Sequence, residues 1–178
     1  MKKGLLVVDV QNDFCKNGSL AVPQGEEVVR YVNRVRSFYD HVFFSLDSHP
    51  SDHVSFSNPW PPHCVVGTPG HKLHPELDAR PTDFFIYKGL DKNTESLSAF
   101  YDLGKEPSIL VKAMESFKIE TIDICGLASE YCVFSTARDA ISLGLKVNIL
   151  MNGCRCLDHE SERNAFFILK EEGASLMK

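Results

Sequence analysis

Short aliphatic runs alternate with segments of helical spacing along this chain, and that alternation constrains the fold more than any other feature. Gly4–Val8 is apolar throughout, which suits a strand buried on both faces of a parallel sheet. His41–Leu46, Asp83–Tyr87, Ile119–Cys125, Lys146–Met151 and Ala174–Met177 read as further strands. Between them, Val28, Tyr31, Val32, Val35, Phe38 and Tyr39 keep helical spacing with Glu and Arg interleaved. Ser108–Phe117 reads as a second helix, and Ala137, Ala140 and Ile141 place a third within Phe134–Leu143. Asp158 N-caps a fourth, which carries Ala165, Phe166, Ile168 and Leu169 and ends at Gly173. Ser96–Tyr101 reads as one or two helical turns. Parallel strands need long crossovers, usually helical, so the pattern predicts a three-layer α/β/α, Rossmann-like fold around a parallel sheet. The 178 residues fit one domain, and no repeat, linker or low-complexity tract divides residues 1–178.

The charge balance excludes some partners. Net charge is −5 with no basic block, which argues against nucleic acid and anionic membranes. No apolar run approaches the roughly 18 residues of a membrane span. Two lysines precede the first apolar run, faintly like a signal peptide, but Asp9 breaks the run and no small-residue cleavage site follows. Six cysteines without a secretory segment are expected as thiols in the reducing cytosol. The partner expected is a small molecule, and a homo-oligomer stays open.

Three polar residues fall at the carboxyl ends of three different strands: Asp9, Lys88 and Cys132. Ligands bind at that edge of an open α/β sheet. Cys132 lies in Gly126–Val133 (GLASEYCV), between a strand and the start of a helix, where unpaired N–H groups and the helix dipole favour a thiolate. A carboxylate within reach takes the thiol proton, and an ammonium beside both favours their anionic forms. Each residue alone has a plainer role: a packed thiol, a turn carboxylate, a solvated lysine. Their joint placement is what marks Cys132 as a nucleophile.

A second constellation lies in the long His-, Pro-, Ser- and Gly-rich segment from Asp47 to about Pro75, a length that points to a functional loop. Asp47, His49 and His53 fall within seven residues, and His63 follows in Trp60-Pro61-Pro62-His63-Cys64. Mixed oxygen and nitrogen donors suit one divalent metal ion, zinc first, with iron or manganese as alternatives. His71 and His74 are read as loop surface. Cys64 competes with its neighbours as ligand or nucleophile. Cys154-x-Cys156 lacks the second pair of a zinc ribbon and is read as two ordinary thiols, and Cys15 and Cys125 as packed in or near the core. Phe14, Trp60 and Phe100 are candidates to wall a flat substrate.

Asp9-Val10-Gln11-Asn12-Asp13-Phe14, the DxH…DH…WPPHC segment, Lys88-Gly89 and GLASEYCV together resemble the nicotinamidases of the isochorismatase-like cysteine hydrolases. The resemblance runs from the first strand to the helix after Cys132 and weakens towards the C-terminus. It implies six parallel strands with helices on both faces, and hydrolysis of nicotinamide to nicotinate and ammonia in NAD salvage. It further implies Asp9 as general base, Cys132 as nucleophile, Lys88 as their electrostatic partner and a cis peptide at Leu127–Ala128. The N–H groups of Ala128 and Cys132 would then form the oxyanion hole, and a metal on Asp47, His49, His53 and His63 would position the pyridine nitrogen. The alternatives are another amidase of this fold, acting on a pyrazinamide-like or carbamoyl substrate, and a non-catalytic metal-binding protein. An isochorismatase proper fits less well, having no use for the metal set.

Overall fold

The structure, a computed structural model, describes residues 2–102 and 106–178. In chain order the strands are β1 (Lys2–Val8), β2 (His41–Asp47), β3 (Phe84–Lys88), β4 (Tyr101–Asp102), β5 (Glu106–Pro107), β6 (Ile119–Leu127), β7 (Lys146–Arg155) and β8 (Ser175–Met177). Six of them form one sheet in the order β3-β2-β1-β6-β7-β8, every neighbouring pair parallel. The expected α/β fold is present. Leu5, Leu6, Val7 and Val8 are all fully buried, so successive side chains on β1 meet apolar neighbours on both faces of the sheet.

The helices are α1 (Glu26–Val35), α2 (Ile109–Phe117), α3 (Phe134–Ser142) and α4 (His159–Glu171). Right-handed crossovers put α1 on one face and α2, α3 and α4 on the other. In agreement, α3 packs against β7 and α4, and α1 against β6 and β7. Two of these helices begin at side-chain caps: Ser108 Oγ accepts from Leu110 N, and Asp158 Oδ2, the cap expected from sequence, accepts from Ser161 N. No helix of the described residues is long and apolar enough to cross a membrane.

The strand order reverses between β1 and β6, opening a crevice at their carboxyl ends. There β1 and β6 approach closely at Gly126 (φ +134°), where a Cβ would lie 2.1 Å from Val8 O. Only glycine fits that position. The segment after β2 folds back over the same edge. Asp13 Oδ2 accepts from Cys64 N (2.7 Å), and Asn12 Nδ2 donates to Pro69 O (2.9 Å). His49 bridges to Val65, and Gln11 to Leu73. The turn after β1 is thereby the anchor for the loop that carries the histidines.

Three elements differ from the sequence reading. Ser96–Tyr101 is not helical. Its hydroxyls serve backbone groups instead, Ser96 Oγ donating to Tyr101 O and Ser98 Oγ accepting from Phe100 N, and Tyr101 enters the short antiparallel pair β4–β5. β7 runs to Arg155 rather than Met151, because its pairing with β6 slips from Ile124–Ile149 to Gly126–Cys154 and resumes. Ser129–Val133, read as the junction between strand and helix, is itself a π-helical turn ahead of α3.

Candidate active site

Each site residue stands where a strand stops. Asp47 and Lys88 are the last residues of β2 and β3 and pair with each other across the sheet. Asp9 follows β1 in the left-handed region (φ 51°), and Cys132 lies in the turn after β6. The fully buried Lys88 joins them. Its Nζ is 2.5 Å from Asp47 Oδ1, 2.9 Å from Asp9 Oδ2, 3.2 Å from Ser96 O and 3.5 Å from Cys132 Sγ. Ser45 Oγ donates to the other Asp9 oxygen at 2.6 Å, and the side chains of Asp9, Asp47 and Cys132 approach within 4.8 Å of one another. The three residues read as base, cation and nucleophile are therefore together, with Asp47 as a fourth member.

The electrostatics follow from burial. Burial alone would strip the Lys88 proton, but Asp47 and Asp9 overcome it and hold the ammonium well above its ordinary value. Burial pushes the Cys132 thiol well up, Lys88 opposing and the two carboxylates adding. This differs from the thiolate expected of a helix start: here two acids and the loss of water outweigh one lysine. Burial also raises Asp9, with Asp47 adding and Lys88 opposing. A thiol beside a carboxylate of raised basicity is a proton donor facing its acceptor. Asp47 goes the other way. Burial would raise it, but Lys88, His49 and His63 hold it well below the ordinary range.

Asp47, His49 and His63 present three donor atoms to one another. His49 Nε2 is 3.2 Å and His63 Nε2 3.7 Å from Asp47 Oδ2. The far nitrogens are taken by carbonyls, His49 Nδ1 by Gly89 O (3.1 Å) and His63 Nδ1 by Pro61 O (2.8 Å). Such backing leaves the Nε2 lone pairs pointing inward, the usual support of a metal-ligating histidine. His49 Nε2 is buried with no well-formed hydrogen bond. A tetrahedral zinc with bonds of about 2.0–2.1 Å to nitrogen and oxygen would separate neighbouring donors by about 3.3 Å. Charge agrees: two buried carboxylates against one buried ammonium leave the site net negative, which favours a cation there. The donor set fits a metal.

The remaining candidates divide. His53 lies outside the group of Asp47, His49 and His63, but it forms a second group with His49 and Glu95, whose donor atoms lie within 4.8 Å of one another. Its Nδ1 meets Ser55 Oγ (2.7 Å), its Nε2 meets Thr94 O (3.2 Å), and its ring lies 4.0 Å from that of His49. Phe14 and Trp60 line the cavity over Cys132, but Phe100 is fully buried in the core and does not. The lining also includes Ala128, Tyr131, Leu97 and Leu157. Tyr131 meets Trp60 edge to face, with ring centroids 5.1 Å apart. His71 is half-buried rather than surface, paired with Ser48 Oγ at 2.8 Å. Cys64 is fully buried, its thiol pushed well up by burial. All six cysteines are free. The Leu127–Ala128 peptide is cis, and Ala128 and Cys132 lie side by side on the cavity wall.

Sequence reasoning missed Gln11, whose amide clasps Asp47 through both backbone groups at 2.8 Å each. It also missed the contact that Gly89 makes possible. A Cβ on Gly89 (φ +72°) would sit 2.6 Å from His49 Cε1.

The sequence profile of the isochorismatase domain matches residues 3–178. The nicotinamidase of Escherichia coli K12 is 35% identical over 199 aligned positions, covering 98% of this chain and 93% of that protein. The pyrazinamidase of Pyrococcus horikoshii, solved in complex with zinc, superposes with a TM-score of 0.90 at 31% identity, over 100% of this chain and 99% of that one. PnC1 of L. infantum, solved in complex with nicotinate, superposes with a TM-score of 0.95 at 33% identity, over 99% and 92%.

Proposed function

This chain belongs to the isochorismatase family, and we propose that its activity is metal-dependent hydrolysis of nicotinamide to nicotinate and ammonia through a thioester on Cys132. The observation that carries the reading is the reach of Lys88. One buried ammonium touches the nucleophile, the base and the carboxylate of the metal set at the floor of one cavity. A scaffold without chemistry gains nothing from burying those charges together.

The residues divide the work as follows. Phe14, Trp60 and Tyr131 hold a flat ring over Cys132. Asp47, His49 and His63 would hold a divalent ion, zinc first, which would supply a Lewis acid for positioning the substrate ring. His53 backs this group by packing on the His49 ring. Asp9 takes the thiol proton as Cys132 Sγ attacks the carboxamide carbon. The tetrahedral oxyanion is received by the N–H groups of Ala128 and Cys132, a contribution of about 3–4 kcal/mol in comparable sites. Asp9 returns the proton to the departing nitrogen, and the C–N bond breaks to release ammonia. A water then gives a proton to Asp9 and its oxygen to the acyl carbon, and the C–S bond breaks to return the thiol. Lys88 stays charged throughout and offsets the negative charge that passes between Asp9 and Cys132.

Pyrazinamide, with a ring nitrogen and a carboxamide of the same kind, is the second substrate of this cavity. The workplace of the enzyme is the cytosol, a reading that the six free thiols support. The test is to supply metal-loaded protein with nicotinamide and to measure ammonia and nicotinate together. Equal amounts are expected, lost on chelation and regained with zinc. No ammonia from metal-loaded protein would dismiss the assignment.

A further inference from the structure

Behind the turn that carries Leu157 lies a second convergence of ligand-type side chains, outside the cavity of Cys132. Cys156, His159 and Glu162 are spaced by three residues across the start of α4, and their donor atoms all lie within 4.8 Å of one another. Cys156 Sγ is 3.2 Å from His159 Nδ1, which is 3.7 Å from Glu162 Oε2. All three line a separate hollow, shared with Cys154 and Phe166.

The arrangement does not suit a catalytic relay. In a nucleophile–base–carboxylate relay the two ring nitrogens serve different partners. Here the same nitrogen, Nδ1, faces both sulfur and carboxylate. Hydrogen bonding within the group can pair the Cys156 thiol with the Glu162 carboxylate and leaves Nδ1 to serve one of them. A cation between the three would engage all three donor atoms at once. Tetrahedral zinc, with bonds of about 2.3 Å to sulfur and about 2.0–2.1 Å to nitrogen and oxygen, separates neighbouring donors by about 3.3–3.6 Å. The observed sulfur–nitrogen distance of 3.2 Å and nitrogen–oxygen distance of 3.7 Å each lie within about 0.4 Å of the separation expected for that pair.

We propose that Cys156, His159 and Glu162 form a second metal site, which takes a borderline divalent ion of the zinc class and completes its shell with water. Thiolate, imidazole and carboxylate are together a zinc-type set, unlike the oxygen cages that magnesium and calcium prefer. The ion joins the end of β7 to the first turn of α4. The segment between its ligands is also tied to the nucleophile turn, since Glu130 Oε1 accepts from Leu157 N (2.8 Å) and Asp158 N (2.9 Å).

The test is cobalt titration of the full chain freed of metal, read by thiolate-to-cobalt charge-transfer absorption. Asp47, His49 and His63 contain no sulfur, so the band reports a thiolate ligand alone. Cys132→Ala removes the other thiol near a candidate metal group. The band is expected in wild type and in Cys132→Ala, and absent from Cys156→Ser. His159→Ala is expected to bind at least about tenfold more weakly, since loss of even an outer partner costs 10–100-fold. The His159 side chain is 86% exposed, so this variant keeps the fold and carries the test if Cys156→Ser does not. No band in wild type, a band that survives Cys156→Ser, a band lost in Cys132→Ala, or unchanged affinity in His159→Ala would each overturn the proposal.

Discussion

Gly89→Ala isolates the metal set from the nucleophile. A Cβ at position 89 would stand 2.6 Å from His49 Cε1 and 2.7 Å from its Nδ1, where ordinary contact begins at 3.4 Å. The imidazole must therefore retreat by about 0.8 Å, or rotate off the Gly89 carbonyl that orients it. The left-handed backbone adds about 1–2 kcal/mol of strain for a residue with a side chain. For a chain of this size that lowers Tm by about 2–8 °C. Losing the oriented Nε2 should weaken metal binding by about 10–100-fold. The assay pairs a thermal melt with zinc titration of metal-free protein and with turnover of nicotinamide at limiting and excess zinc. Turnover should fall most at limiting zinc. The predicted Tm loss with wild-type zinc affinity would refute the reasoning, because Gly89 would then serve the backbone alone.

Further expectations follow from the same contacts. Asp9→Asn keeps an oxygen for Ser45 but turns its NH2 towards Lys88, so it should lose some stability and, in the protein that remains folded, about 10²–10⁴ in kcat. Near-normal turnover would remove Asp9 as the base. Lys88→Met should destabilise the fold by about 3–5 kcal/mol in denaturant titration, because it strands the buried carboxylates of Asp9 and Asp47. A neutral outcome would mean that those carboxylates are not held charged. Asp9 must be ionised to accept the thiol proton, and its pKa lies above the ordinary 3.8. The acid limb of kcat/KM should therefore lie above that value, activity rising with pH through it. A limb at or below 3.8 would contradict the burial argument.

Much of this was legible before any coordinates. Aliphatic runs marked the strands, and a polar residue just past such a run sits at the ligand-binding edge whatever the loops do. That rule picks out Asp9, Lys88 and Cys132, which the structure brings together. The donor set was half legible. Asp47, His49 and His63 converge, while His53 meets His49 together with Glu95 and also bonds Ser55 and Thr94, and sequence spacing carries no sign of Thr94 or Glu95. Phe100 failed as a wall for a related reason. Ser96 and Ser98 bend the chain through hydroxyl-to-backbone bonds rather than a helix, and Phe100 lies in the core. Tyr131 and Leu157 reach the cavity only through tertiary packing. The thiol's protonation could not be read either, because it depends on how many carboxylates share one dry site with one lysine.

The choice of nucleophile is the central claim, and two cysteines compete for it in sequence. Cys64 is fully buried behind the loop, its backbone held by Asp13, while Cys132 faces Lys88 and lines the cavity. The most direct measurement is ammonia release from nicotinamide by metal-loaded Cys132→Ala and Cys64→Ala, side by side with wild type. The predicted result is loss of about 10³-fold or more in Cys132→Ala, with turnover kept in Cys64→Ala. Activity retained in Cys132→Ala and lost in Cys64→Ala would contradict it.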